Sequence, residues 1–158
     1  AFPNAKYHIA LAERDFWMSP QAFTALPESL QSIPAGAQRY LKELSSVLTT
    51  FKPGEEVLPG VAAFATPGHT PGHTSFEIRS GSESVIVAGD TLTHALLAFQ
   101  HPEIATGSDQ DGDRAVASRK QMLDRLASEK LSFIGYHLPN GGRGRVERVG
   151  SAYRFVPA

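Results

Sequence analysis

The sequence of 158 residues contains no cysteine. That excludes disulfides and thiolate zinc sites, so any zinc site here must draw on histidine and carboxylate. The absence leaves the compartment open between cytosol and periplasm. No apolar run approaches the ~20 residues a membrane span needs. There is no basic stretch either: 15 Lys and Arg stand against 16 Asp and Glu, for a net charge of −1. Bulk charge therefore attracts neither nucleic acid nor an anionic membrane. No internal repeat and no low-complexity segment is visible. What is present is 41% hydrophobic and 20% charged, which suits one globular domain over residues 1–158 with its own core.

The chemistry-bearing residues gather in one stretch, Thr66-Pro67-Gly68-His69-Thr70-Pro71-Gly72-His73-Thr74, where each histidine follows a glycine and precedes a threonine. Pro67 and Pro71 fix φ and remove donors, while Gly68 and Gly72 permit turns that other residues resist. The apolar run 61–65 precedes the stretch, and the alternating run Ser75-Phe76-Glu77-Ile78-Arg79 follows it. The pattern predicts a tight loop between two strands. An isolated loop histidine is ordinarily a surface residue. Repeated histidine on a rigid, glycine-hinged loop suits the holding of an imidazole at a metal. Two more apolar runs end in a potential ligand, Val85-Ile86-Val87-Ala88-Gly89-Asp90 and Ile134-Gly135-Tyr136-His137. Runs of this length read as buried strands. Ligands at strand ends converge on one edge of a sheet, where open α/β folds build their sites.

Around these lies the scaffold. Residues 6–11 read as a strand and 13–18 as a short helix closed by Ser19-Pro20. Residues 19–36, punctuated by Pro20, Pro27 and Pro34, read as an irregular excursion, a lid or a dimer contact if not a plain surface loop. The stripe Tyr40, Leu41, Leu44, Val47, Leu48 predicts a helix over 37–50. Strands are expected at 56–58, 61–65, 74–79 and 85–88, the last three forming a small antiparallel sheet. Asp109-Gln110-Asp111-Gly112-Asp113 is not a calcium loop, because the sixth position from Asp109 is Arg114 and the twelfth is Lys120. Its aspartates instead predict the capped start of a helix over 114–130. A strand at 131–135 and a closing strand pair, 144–149 with 152–156, complete the chain.

Taken together, Gly-His69-Thr-Pro-Gly-His73, Gly89-Asp90-Thr91 and a late His137 resemble the metallo-β-lactamase superfamily. The lactonase and phosphotriesterase-like branch is the nearer match. Phe2-Pro3-Asn4-Ala5, Gly89-Asp90-Thr91-Leu92-Thr93-His94, Phe99-Gln100-His101-Pro102-Glu103 and Gly135-Tyr136-His137-Leu138-Pro139 look like that branch, in order, over nearly the whole chain. The resemblance implies an α/β (α+β) fold, the C-terminal half of a four-layer αββα sandwich. One departure is large. The family's His-x-His-x-Asp-His loop is absent: His8, His69, His73, His94, His101 and His137 are the six histidines, and no two are spaced as His-x-His. In the family that loop lies shortly before the segment that Phe2-Pro3-Asn4-Ala5 resembles. The expected partner is therefore a missing N-terminal half or a second chain.

The resemblance also implies roles. His69 would bind the first metal, His137 the second, and Asp90 would bridge both as the central catalytic and ligating group. His73 would hydrogen-bond behind the ligands, and His94, Trp17 and Phe99 would sit at or near the substrate pocket. Two zinc ions are expected in the complete domain, although a His/Asp set also accepts other divalent metals. The substrate would be a lactone, an ester or a phosphotriester, hydrolysed by a metal-activated water. Counting ligands gives two per metal with Asp90 shared, too few for tight binding. The isolated chain is thus expected to be inactive unless His69, Asp90 and His137 close on a single ion. Two other readings remain: a degenerate domain that acts by association, for instance as a homodimer, and a glyoxalase-II-like thioesterase.

Overall fold

Seven of the strands form one mixed sheet, and the helices of its crossover cover one face. The computed structural model describes Phe2 and residues 4–158; Ala1 and Pro3, and with Pro3 part of the Phe2–Ala5 resemblance, lie outside the described residues. The chain runs β1 (Tyr7–Ala10), α1 (Leu11–Met18), α2 (Gln21–Thr24), α3 (Ser32–Glu43), β2 (Leu48–Phe51), β3 (Glu56–Leu58), β4 (Val61–Ala65), β5 (Thr74–Ser80) and β6 (Glu83–Gly89). It continues with α4 (Leu97–Gln100), α5 (Gly112–Ser128), β7 (Ser132–Gly135), β8 (Arg143–Val149) and β9 (Ala152–Pro157). Strands β3 to β9 lie side by side in sequence order, and β1 pairs with β2 apart from them. Every neighbour pair in the large sheet is antiparallel except β6 with β7. A parallel pair needs a long crossover, and α4 and α5 supply it.

The main core lies between the sheet and that crossover. Ile86 and Ala88 of β6 and Phe133 of β7 meet Leu92, Phe99, Met122, Leu123 and Leu126, with Val146 and Tyr153 closing the far end. Leu123 and Leu126 have no exposed surface, and burying each such side chain contributes about 1.5–3 kcal/mol. Asp111 caps α5, its carboxylate accepting from the Arg114 amide at 3.1 Å. The opposite sheet face carries Phe76, Ile78, Val85, Val87 and Ile134 by register. Ala10, Phe51 and Ala63 form a second, smaller core on which Phe76 and Val57 pack.

Two expectations change. Helix α3 spans Ser32–Glu43 rather than 37–50, and Leu48–Phe51 is a strand paired parallel with β1. Leu48-Thr49-Thr50-Phe51 is rich in β-branched and aromatic residues, and burial of Phe51 against Ala10 and Ala63 overrides the helical stripe. The helix starts early because Pro34 lies in its first turn, where a missing N–H costs nothing. Consequently the 19–36 excursion holds α2, a 3₁₀ turn at Glu28–Leu30 and the start of α3. The Gln31 side chain ties it down, donating to the Phe23 and Leu26 carbonyls at 2.6 and 2.9 Å. The three-stranded antiparallel sheet expected at residues 61–88 is the first part of the larger mixed one. No helix among the described residues is long and apolar enough to cross a membrane.

Candidate metal centre

The loop between β4 and β5 is held from two sides. On one side, Glu13 of α1 accepts from the Thr70 hydroxyl at 2.7 Å, the Gly72 amide at 3.0 Å and the Trp17 indole at 2.7 Å. On the other, the loop docks on the start of α5. The Asp111 and Gln110 amides donate to the Gly68 and His69 carbonyls at 2.9 and 3.2 Å, and the Ser118 hydroxyl to the Pro67 carbonyl at 2.6 Å. Gly68 has φ of +133°, and a Cβ there would run into the Ala115 backbone. Only glycine permits both that conformation and that approach.

This clamped loop presents His69 to the end of β6. His69 Nε2 lies 3.5 Å from Asp90 Oδ2. From the end of β7, His137 Nε2 lies 3.2 Å from Asp90 Oδ1. The parallel register, with Gly89 beside Gly135, brings the two strand ends together. Asp90 Oδ1 is buried and has no hydrogen-bond partner, so the His137 approach is not aligned as a hydrogen bond. Such an orphaned oxygen asks for a ligand. Two donors each 2.0–2.1 Å from a tetrahedral zinc stand about 3.3 Å apart, so both pairs match the spacing of ligands sharing an ion. The fit is pairwise only. Among the described residues no group of three or more His, Asp or Glu is placed to hold one ion. The two histidines face different oxygens of Asp90.

His73 faces the other way. Its Nε2 accepts the Asp90 amide proton at 2.9 Å, so its own proton is on Nδ1. That proton goes to Thr66 Oγ1 at 2.8 Å, Thr66 donates to Ser75 Oγ at 2.9 Å, and Ser75 donates to the Ala88 carbonyl at 2.9 Å. With Nε2 already used, His73 has no lone pair for a metal. Burial pushes the His73 imidazole below its ordinary value, aided by the nearby His69 and opposed by Asp90. A neutral ring is what the hydrogen bonds require.

Two residues that the sequence reading passed over stand behind His69. Asp109 Oδ1 lies 3.4 Å from His69 Nδ1. Its Oδ2 accepts from the Thr106 amide at 2.8 Å and from Arg119 Nη2 at 3.1 Å. The Asp109 side chain has no exposed surface, and that of Arg119 is 1% exposed. Burial raises the Asp109 carboxyl, but hydrogen bonds from Thr106 and the Arg119 guanidinium outweigh it and hold the group below the usual carboxylate range. A signal was available: Arg119 falls on the buried stripe of α5 with Ala115, Ser118 and Met122, where a charge requires a partner.

The remaining candidates lie apart. His94 is exposed, and its Nδ1 accepts from the Leu96 and Leu97 amides at 3.1 and 3.2 Å, at the start of α4. Phe99 is 1% exposed and packs on Phe133 and Phe155, so it fills the core rather than lining a pocket. Trp17 is half-buried, packed edge-on to Phe16, and reaches the centre only through Glu13. Tyr136, 81% exposed, stands edge-on to the His137 ring. His8 is exposed, and His101 pairs with Glu103 in an exposed loop.

The fold is matched among known proteins. Residues 1–135 fit the family described as the metallo-beta-lactamase superfamily. A protein of Bacillus sp. named N-acyl homoserine lactonase is 29% identical over 106 residues, 65% of this chain and 42% of that protein. The uncharacterized protein YobT of Bacillus subtilis (strain 168) is 29% identical over 139 residues, 80% of this chain and 54% of that protein. Among solved structures, AidC, described as a dizinc quorum-quenching lactonase in complex with a product, has a TM-score of 0.91 at 32% identity, covering 99% of this chain and 56% of AidC. The hydrolase AbOPH has a TM-score of 0.87 at 29% identity, with the same coverage. The chain thus spans about half the length of the proteins it matches. With its mixed sheet, its histidine loop and its strand-end aspartate, the chain belongs to the metallo-β-lactamase superfamily.

Proposed function

We propose that this chain carries one half of a dinuclear metal-dependent hydrolase and acts on lactones, with esters and phosphotriesters as the wider class. One observation supports this most: the two oxygens of Asp90 face two different histidines, at 3.5 and 3.2 Å. A carboxylate so placed suits a bridge between two ions. His69 would hold the first ion and His137 the second, with Asp90 shared. Two divalent ions there would supply Lewis acidity and an activated water. The chain's own residues do the rest. The His73 ring fixes the Asp90 backbone through the amide hydrogen bond, and Glu13 and α5 hold the His69 loop rigid. Lactones come first because two of the relatives are named N-acyl homoserine lactonase.

This chain offers each ion two ligands, one of them shared, so the remaining ligands come from an N-terminal half of the kind that bears His-x-His-x-Asp-His in the family. Hydrolysis of a chromogenic lactone is the test. It is run on the chain alone and joined to such a half, with and without zinc, alongside native mass spectrometry and elemental analysis. The expected result is zinc-dependent turnover in the joined protein that His137→Ala abolishes, with little zinc retained by the chain alone. Turnover indifferent to His137→Ala, or no zinc in either protein, would sink the proposal.

A second reading, association without catalysis, is favoured by a different observation. On the sheet face opposite α5, Ile78 and Ile134 are 40% and 41% exposed beside Val85 and Val87. A metal-free chain that forms a stable dimer through this face would support it.

A further inference from the structure

We infer that Asp109 is a positioning residue that fixes which nitrogen of His69 carries the proton. It lies within hydrogen-bonding reach of His69 Nδ1, on the side of the ring away from Asp90. An ionised carboxylate only accepts, so Nδ1 must donate and Nε2 keeps its lone pair. That lone pair faces Asp90, where the proposed ion would bind. Carboxylate partners behind ligating histidines set tautomer and ring orientation in this way. The step from tautomer to metal rests on the hydrolase reading; the tautomer itself does not.

Asp109 is itself over-determined. The Thr106 amide and Arg119 Nη2 both donate to Oδ2. Arg119 is fixed in turn, donating through Nη1 to the Ile104 carbonyl at 2.7 Å, with longer contacts to the carbonyls of Pro102 and Thr91 at 3.4 Å. The pair is buried, so water does not compete for these bonds. The loop on either side of His69 is bound to the same segment through the Gln110 and Asp111 amides. Ring, carboxylate and backbone therefore hold one another in a single register.

The arrangement makes Asp109→Asn informative. An amide has one oxygen and one NH₂ group. The two donors on the Oδ2 side claim the oxygen, which leaves the NH₂ facing His69 Nδ1. Nδ1 must then accept, and the His69 proton moves to Nε2. A near-isosteric change thus inverts the tautomer and blocks the nitrogen that faces Asp90.

The experiment is imidazole ¹⁵N–¹H correlation NMR on the metal-free full chain labelled at histidine, at a pH about two units above the ordinary imidazole value. Zinc affinity is measured on wild type and variant joined to the N-terminal half. The expected result is an Nδ1–H His69 in the wild type and an Nε2–H His69 in Asp109→Asn, with zinc bound about 10–100-fold more weakly. Asp111→Asn, which alters the neighbouring carboxylate, is expected to leave the tautomer unchanged. An Nε2–H tautomer in the wild type, or the same tautomer in both proteins, would overturn the inference. Should Asp109→Asn fail to fold, the wild-type spectrum alone still decides. Because the tautomer is read without metal, failure of the hydrolase reading would leave this result standing.

Discussion

Replacing Gly89 with alanine should injure this protein at the candidate site rather than merely strain its backbone. Gly89 has φ of +55°, and a Cβ there would lie 2.7 Å from His73 Nε2 and 3.0 Å from its Cε1. The left-handed conformation alone costs an alanine about 1–2 kcal/mol. The ring must also retreat, which breaks the bond it accepts from the Asp90 amide at 2.9 Å. Leaving a part-buried donor unpaired costs about 1–3 kcal/mol more. The sum is a loss of roughly 2–5 kcal/mol. Gly81 is an internal control, with φ of +59° and nothing within 4 Å of the added carbon. Gly81→Ala should lose only the conformational part, about 1–2 kcal/mol, offset in both variants by the stiffer unfolded chain. Urea unfolding followed by circular dichroism measures both. The expected gap between the two variants is about 1–3 kcal/mol. Equal losses would refute the reasoning, for they would mean that the His73 ring yields at no cost.

Two further predictions are simpler. Asp111→Ala removes the α5 cap and should cost about 1 kcal/mol in the same assay. Hydrogen bonds from Arg79 and then Arg125 hold the Glu77 carboxyl below its usual range. A carboxylate depressed by folding adds stability that is complete above the ordinary glutamate value, about 4.3, and disappears as pH falls below it. With Glu77 13% and Arg125 31% exposed, the contribution is about 1 kcal/mol. Glu77→Gln should therefore weaken the protein at pH 7 and flatten the acid limb of its stability profile. An unchanged acid limb would discard the pair as a contributor.

Much of this organisation was legible because it is local. Pro67, Gly68, Pro71 and Gly72 mark the loop, and the apolar runs ending at Asp90 and His137 mark the strand ends; His69 and His137 each approach Asp90. Where the reading failed, tertiary packing decided. Val47 and Leu48 continue a helical stripe, yet the burial of Phe51 makes Leu48–Phe51 a strand. Phe99 and His94 follow Asp90 in sequence; packing turns Phe99 into the core, and the Leu96 and Leu97 amides hold the His94 ring. Asp109 looked like one of three equivalent capping aspartates. Only Asp111 caps; Asp109 points inward because Arg119, ten residues on and three helical turns away from the eye of a local reading, waits on the buried stripe of α5.

The parallel pairing of β6 with β7 also sets how the two ends of the centre depend on the chain. His69 and Asp90 are joined by a single hairpin, β5 and β6, whose closure involves only near neighbours. His137 reaches Asp90 only after the whole α4–α5 crossover has closed. Chain entropy rises with the length of the loop to be closed, and such non-local pairings form slowly. The centre is therefore asymmetric in the order of closure: the hairpin that joins His69 to Asp90 is locally encoded, while His137 waits on the crossover, and α5 serves both walls because it also holds the His69 loop.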